Sequence, residues 1–157
     1  MNGSDNDAHT LVIGYGNPLR GDDGVGWVAA QRLAERVDPA HVAAMGVHQL
    51  MPELAETISR VDRVIFIDAA VNQPPGYLSS RIVEPGDANR LMAHHLSPEG
   101  LLALSLRLFH RCPKAHLLTV GGENFDHRDD ISPAVDRACD KLVDHLQQML
   151  TGVLAHA

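Results

Sequence analysis

Thr10-Leu-Val-Ile-Gly-Tyr-Gly-Asn-Pro-Leu-Arg-Gly-Asp-Asp-Gly-Val-Gly26 decides the architecture. Its first four residues are apolar and mostly β-branched, and they stop at a pair of glycines. That is the pattern of a buried strand feeding a tight turn. From Gly24 to about Val37, the apolar positions Val25, Val28, Ala29 and Leu33 recur at helical spacing. A strand, a glycine turn and a helix form the opening unit of an α/β fold.

The rest of the chain repeats that alternation. His41–His48 (HVAAMGVH) reads as a second strand. Pro52, Glu53 and Glu56 suit the first turn of the next helix. Val64-Ile-Phe-Ile67 is a continuous apolar run ending in Asp68, the signature of a central strand. Asn72–Gly76 is a turn, followed by a strand over Tyr77–Val83. That gap is too short for a helical crossover, so this strand should pair antiparallel and make the sheet mixed. Ser97-Pro98-Glu99 supplies an N-cap, a first-turn proline and a first-turn acid. The helix beyond it, with Leu101, Leu102, Leu104, Leu106, Leu108 and Phe109, is apolar nearly all round and should be well buried. His116–Val120 is a further strand ending at Gly121-Gly122. Ser132-Pro133 repeats the capping pattern before a last helix with Val135, Ala138, Leu142, Leu146 and Met149 on one face. The order β-α-β-α-β-β-α-β-α implies a three-layer α/β/α sandwich on a twisted, mostly parallel mixed five-stranded sheet.

Composition narrows the partners. The chain has 157 residues, with 20 acids against 13 Lys and Arg, and 10 histidines. That length suits one domain, taken as 10–152 after a disordered lead over 1–9. A net charge of −7 argues against nucleic acid or an anionic membrane, both of which reward basic patches. No apolar run approaches the roughly 18 residues of a membrane span, and the polar start lacks a signal-peptide pattern. Cys112 and Cys139 form no metal motif and read as buried free thiols in a reducing cytoplasm.

In open α/β sheets, sites gather beyond the carboxyl ends of the strands. Gly14, Gly16, Asn17, Asp22 and Asp23 follow the first strand, His48 the second, and Asp68 the third. His94 and His95 precede the Ser97 helix. A dinucleotide turn fails, because Leu19 stands where G-x-G-x-x-G needs glycine. One of Asp22 and Asp23 should cap the helix, leaving the other to face the cleft as an ionised acid. Carboxylates and imidazoles with open positions suit a divalent metal such as nickel, zinc or iron. The remaining histidines read as surface residues, and no serine or cysteine stands out as a nucleophile.

Leu11–Gly26 closely resembles the opening of the NiFe-hydrogenase maturation endopeptidases. Val64–Ala70, His94–Pro98, Leu117–Gly122 and Ile131–Pro133 resemble later segments of that family in the same order. The resemblance implies a phosphorylase/hydrolase-like α/β/α fold. It also implies one cut: removal of a C-terminal extension from the hydrogenase large-subunit precursor after nickel insertion. It maps metal-binding and catalytic acids onto Asp23 and Asp68. The third ligand falls on His95 or, if Ser97-Pro98 sets the alignment, on Glu99, with His94 also in reserve. His95 is preferred, since imidazole is a good nickel ligand needing no proton adjustment near neutral pH. Gly14, Gly16, Asn17, Asp22 and His48 would form a substrate-binding loop. The nickel is implied to arrive with the precursor, with no organic cofactor. His48–Ala55 resembles the branch serving soluble, cofactor-reducing hydrogenases. Two rival readings stand beside this one. The first is a nickel-checking chaperone that does not cut. The second is a peptidyl-tRNA-hydrolase-like enzyme, suggested by Gly14–Pro18 but lacking that family's Thr-Arg-His-Asn stretch.

Overall fold

The computed structural model describes residues 9–86 and 96–155, with side chains to Thr151. The elements are β1 (Thr10–Tyr15), α1 (Val25–Ala34), β2 (Val42–Val47), α2 (Leu54–Ser59), β3 (Arg63–Ala70), β4 (Leu78–Val83), α3 (Pro98–Phe109), β5 (Lys114–Gly121) and α4 (Pro133–Ala155). Their sheet order is β2-β1-β3-β5-β4, parallel throughout except for β4, which runs antiparallel to β5. The short Asn72–Gly76 turn forces that reversal, as its length predicts.

Strand alternation sorts the core into two layers. Val12, Ile65, Ile67 and Val120 face α1 and α4, where they meet Val25, Ala29, Leu33, Val135, Leu142 and Leu146. Leu11, Ile13, Val64, Phe66 and Leu117 face the other way, onto Leu54, Ile58, Leu101 and Leu102 of α2 and α3. α1 and α4 are also tied at the surface: Arg32 donates to Asp136 at 2.7 Å and to Asp140 at 2.8 Å. Part of the acid surplus is therefore spent on helix–helix pairing.

The ends of elements depart from expectation in several places. His9 is already tied to the sheet: its N–H donates to the His41 carbonyl at 3.1 Å, and its carbonyl accepts from Asp62 at 3.0 Å. α3 starts as predicted, with Ser97 Oγ accepting from Gly100 N at 3.0 Å and Pro98 in the first turn. Its far end is not buried, however: Leu106, Leu108 and Phe109 are all exposed. α3 is twelve residues long and packs beside α2, which is only six, so its last turns outrun their cover. Cys139 is buried, as expected of a core thiol, and burial pushes its pKa up to about 11. Cys112 is instead exposed, because it lies in the turn between α3 and β5.

Candidate active site at the carboxyl edge of the sheet

Backbone contact, not side-chain packing, builds the floor of this edge. A Cβ on Gly14 would lie 1.7 Å from the Gly26 carbonyl oxygen, and one on Gly26 would lie 2.2 Å from the Ile67 carbonyl oxygen. α1 thus rests directly on β1 and β3. Gly16, at φ +142°, turns the chain so that the Asp23 backbone passes where its side chain would be. Gly14→Ala should therefore unfold the protein or cost several kcal/mol, on the order of the largest overpacking penalties. A fall in the urea midpoint would show it; a midpoint matching wild type would mean that α1 can lift off the strand freely.

This contact sets Asp23, in the 3-10 turn Gly21–Gly24, next to the ends of β1 and β3. Asn17 N–H donates to Asp23 Oδ2 at 2.8 Å, and Ala69 N–H donates to Asp68 Oδ1 at 2.8 Å. The two carboxylates are close enough for the charge on Asp23 to raise the pKa of Asp68. Burial is the larger cause, and together they place the Asp68 pKa at about 6, against the lowering effect of the Ala69 N–H and the Tyr15 hydroxyl. Tyr15 is held protonated by burial first and by Asp68 second, which keeps it a donor.

Tyr15 is the site residue that sequence reasoning passed over. The signal was present in the strand period. β1 pairs with β3 in the register Gly14↔Ile67, so the next step sets Tyr15 beside Asp68, on the face that also carries Ile13 and Phe66. The Tyr15 ring meets Phe66 edge-on, with ring centres 6.5 Å apart. Glu99, at the start of α3, also acts on Tyr15, but Arg81 Nη1 already donates to Glu99 Oε2 at 2.6 Å.

Asp22 does something other than expected. It neither caps a helix nor faces substrate: it is fully buried. Its carboxylate accepts from Glu123 N, Asn124 N, Ser132 N and Ser132 Oγ, at 2.8, 2.9, 2.7 and 2.8 Å. Ser132, expected as a helix cap, spends its hydroxyl on this contact. Burial alone would raise the Asp22 pKa, but the four donors outweigh it and hold the carboxyl below its ordinary range. Asp22 therefore ties the β5–α4 connection under the Asp23 turn. His48 is exposed beyond the end of β2, beside Trp27, Gln49 and Met51, in a cleft of about 580 Å³. Its loop joins the Gly16 turn through Gly16 N–H to the Val47 carbonyl, at 3.1 Å. His94 and His95 lie outside the described residues. Among the described residues, no three His, Cys, Asp or Glu side chains form a metal-binding group.

An α/β/α domain on a mostly parallel mixed sheet, with two acids meeting where β1 and β3 end, has the fold of the hydrogenase maturation proteases. The chain is 19% identical to the NiFe-hydrogenase maturation protease HycI of Thermococcus kodakarensis KOD1, with a TM-score of 0.76 over 92% of this chain and 93% of that one. It is 26% identical to the hydrogenase 2 maturation peptidase of Thaumarchaeota archaeon SCGC_AB-539-E09, with a TM-score of 0.69 over 90% and 97%. In sequence it is 27% identical to the hydrogenase expression/formation protein HupD of Bradyrhizobium diazoefficiens, over 90% of this chain and 81% of that protein. No protein-family model matches the chain. The sequence comparison and the fold comparison both return hydrogenase-maturation proteins.

Proposed function

We propose that this protein is an endopeptidase that removes the C-terminal extension of a NiFe-hydrogenase large-subunit precursor after nickel insertion. The observation that carries this reading is the meeting of Asp23 and Asp68 at the carboxyl edge of a sheet with the maturation-protease fold. Each acid has one oxygen held by a backbone N–H, and Asp68 is held by the Tyr15 hydroxyl as well, which fixes both carboxylates in direction. Two neighbouring acids, one of them half-desolvated, attract a divalent ion strongly. In this reading the nickel belongs to the precursor, and Asp23 and Asp68 bind it from the protease side.

His95 is the proposed third ligand, with His94 behind it. Glu99 ranks lower, because its charge is matched by Arg81. Cleavage adds water to the scissile carbonyl. Either a carboxylate would take the water proton, with the leaving amine receiving one, or the substrate's nickel would supply the polarisation of the carbonyl. Asn17 and His48 are the members of the expected substrate loop left to meet the precursor, which is the partner; Gly14 and Gly16 are buried against the Gly26 and Asp23 backbones and act by shaping the loop. No helix among the described residues is long and apolar enough to cross a membrane. We place the reaction in the cytoplasm, where two free cysteines persist.

Purified protein should shorten a nickel-loaded precursor and leave the nickel-free form intact, as read by mass spectrometry of the precursor. Asp23→Ala and His95→Ala should each block the mass change while the fold survives. An unchanged mass with nickel-loaded precursor and wild-type protein would favour the chaperone reading. Wild-type turnover by His95→Ala would move the third ligand to His94 or Glu99.

A further inference from the structure

The sheet is wider than the helix pair on one of its faces. Packed helices lie about 8–10 Å apart and strands about 4.8 Å apart, so two helices cover roughly four strands. α1 packs on β1, β2, β3 and β5, and α4 packs on α1 and β5. β4 is the strand left over, with five of its six residues exposed. Between β4 and α4 lies a groove of about 390 Å³, within the range of small-molecule sites.

The lining of the groove is sorted by chemistry. Leu118, Leu142, Leu146 and Met149 form an apolar floor, and Arg63, His116 and His145 stand around it. The strand register explains the grouping: Ile65 pairs with His116 and Ser80 with Leu118, so alternate residues of β3, β5 and β4 share this face. Among the described residues no acid lines the groove, although the chain carries 20 acids against 13 Lys and Arg. Arg63 makes no ion pair among the described residues; its guanidinium reaches only the Thr10 hydroxyl, at 3.4 Å.

We propose that this groove binds a small amphipathic carboxylate. Its alkyl chain lies on Leu118, Leu142, Leu146 and Met149, and its carboxylate is held by Arg63 with the two imidazoles as further donors. An apolar floor alone would take any greasy ligand; one guanidinium with two imidazoles beside it, and no acid among the described lining residues, selects an anionic head. The groove lies on the α1–α4 face, whereas Tyr15 and Asp68 lie on the α2–α3 face. The proposal therefore does not rest on the proteolytic reading.

Titration calorimetry of the full chain with sodium decanoate, kept below its micelle concentration, tests this. Decanoate should bind, decanol should bind at least about tenfold more weakly, and inorganic phosphate should give no binding. Arg63→Gln should weaken decanoate at least about tenfold, the loss of one charged contact. Ser80→Trp, placed on the exposed edge strand, should fill the groove and abolish binding. In the unaltered protein, the His116 ring resonances should shift as decanoate saturates, a readout that needs no variant. Equal affinity for decanol and decanoate would overturn the recognition of an anion. Wild-type affinity in Ser80→Trp, or an unmoved His116 resonance, would overturn the site.

Discussion

Asp22→Ala is expected to destabilise the fold by about 3–5 kcal/mol, the range for removing one partner of a buried charged network. Four donors lose their common acceptor: the backbone N–H groups of Glu123, Asn124 and Ser132, and the Ser132 hydroxyl. The two Ser132 contacts are buried, so its N–H and hydroxyl lose their partner away from water. Asp22→Asn should rescue little, because both carboxylate oxygens accept backbone N–H groups and an amide must set its own NH₂ against one of them. Urea unfolding should show a lower midpoint at unchanged slope.

The same carboxylate has a defined pH signature. Its folded pKa is depressed, so its contribution is complete above the unfolded value near 4 and is lost as pH falls through the lower folded value. Wild-type stability should fall in that acid window, and the alanine variant should show a shallower fall there. Equal midpoints for wild type and Asp22→Ala at pH 7 would mean that the donors find water after all.

Asp68→Asn should do the reverse: gain stability and lose processing. The Asp68 pKa is raised, by burial first and by Asp23 in addition, from 3.8 to about 6. An elevated acid costs stability when ionised. The cost is absent below about pH 4, grows as pH rises to about 6, and is constant above that. A shift of this size is worth at most about 3 kcal/mol at neutral pH, since one pKa unit is about 1.4 kcal/mol. The amide keeps the shape, removes the buried charge and relieves the repulsion with Asp23. Thermal unfolding at pH 7 should move up, and the gain should vanish near pH 4. Processing should fall at least about 100-fold, the scale of losing a carboxylate that carries a proton or an ion. A variant that is more stable yet fully active would remove Asp68 from the reaction. Opposite stability changes at Asp22 and Asp68 would separate the acid that holds the fold from the acid that the fold strains.

Much of this was legible from residue order. The apolar runs at Leu11, Val64 and Leu117 read as parallel strands because a strand covered on both faces needs no polar alternation. The short turn before Tyr77 dictated an antiparallel edge, since a chain that brief cannot cross back over the sheet. Asp68 was readable as a strand-end acid because its place follows from where the strand stops, whereas Asp23 was separated from Asp22 only by the family resemblance. The burial of α3 was misjudged at Leu106, Leu108 and Phe109: periodicity describes a helix and is silent on how far its neighbour extends. α2 stops short, and the apolar residues beyond it meet solvent.

The sequence by itself determined the alternation of strands and helices, the reversal of β4, and the edge at which polar residues gather. Each of these follows from chain-local physics: spacing, turn length, and the position of glycine and proline. Only the tertiary structure shows why Asp23, which the family resemblance singles out, is the free one of two adjacent aspartates. Asp22 and Asp23 are chemically identical neighbours. They diverge because backbone donors from Glu123, Asn124 and Ser132, more than a hundred residues away, converge on the first. Tyr15 was settled the same way, by the register that carries it beside Asp68. Partners distant in the chain are set by packing, and no local pattern records them.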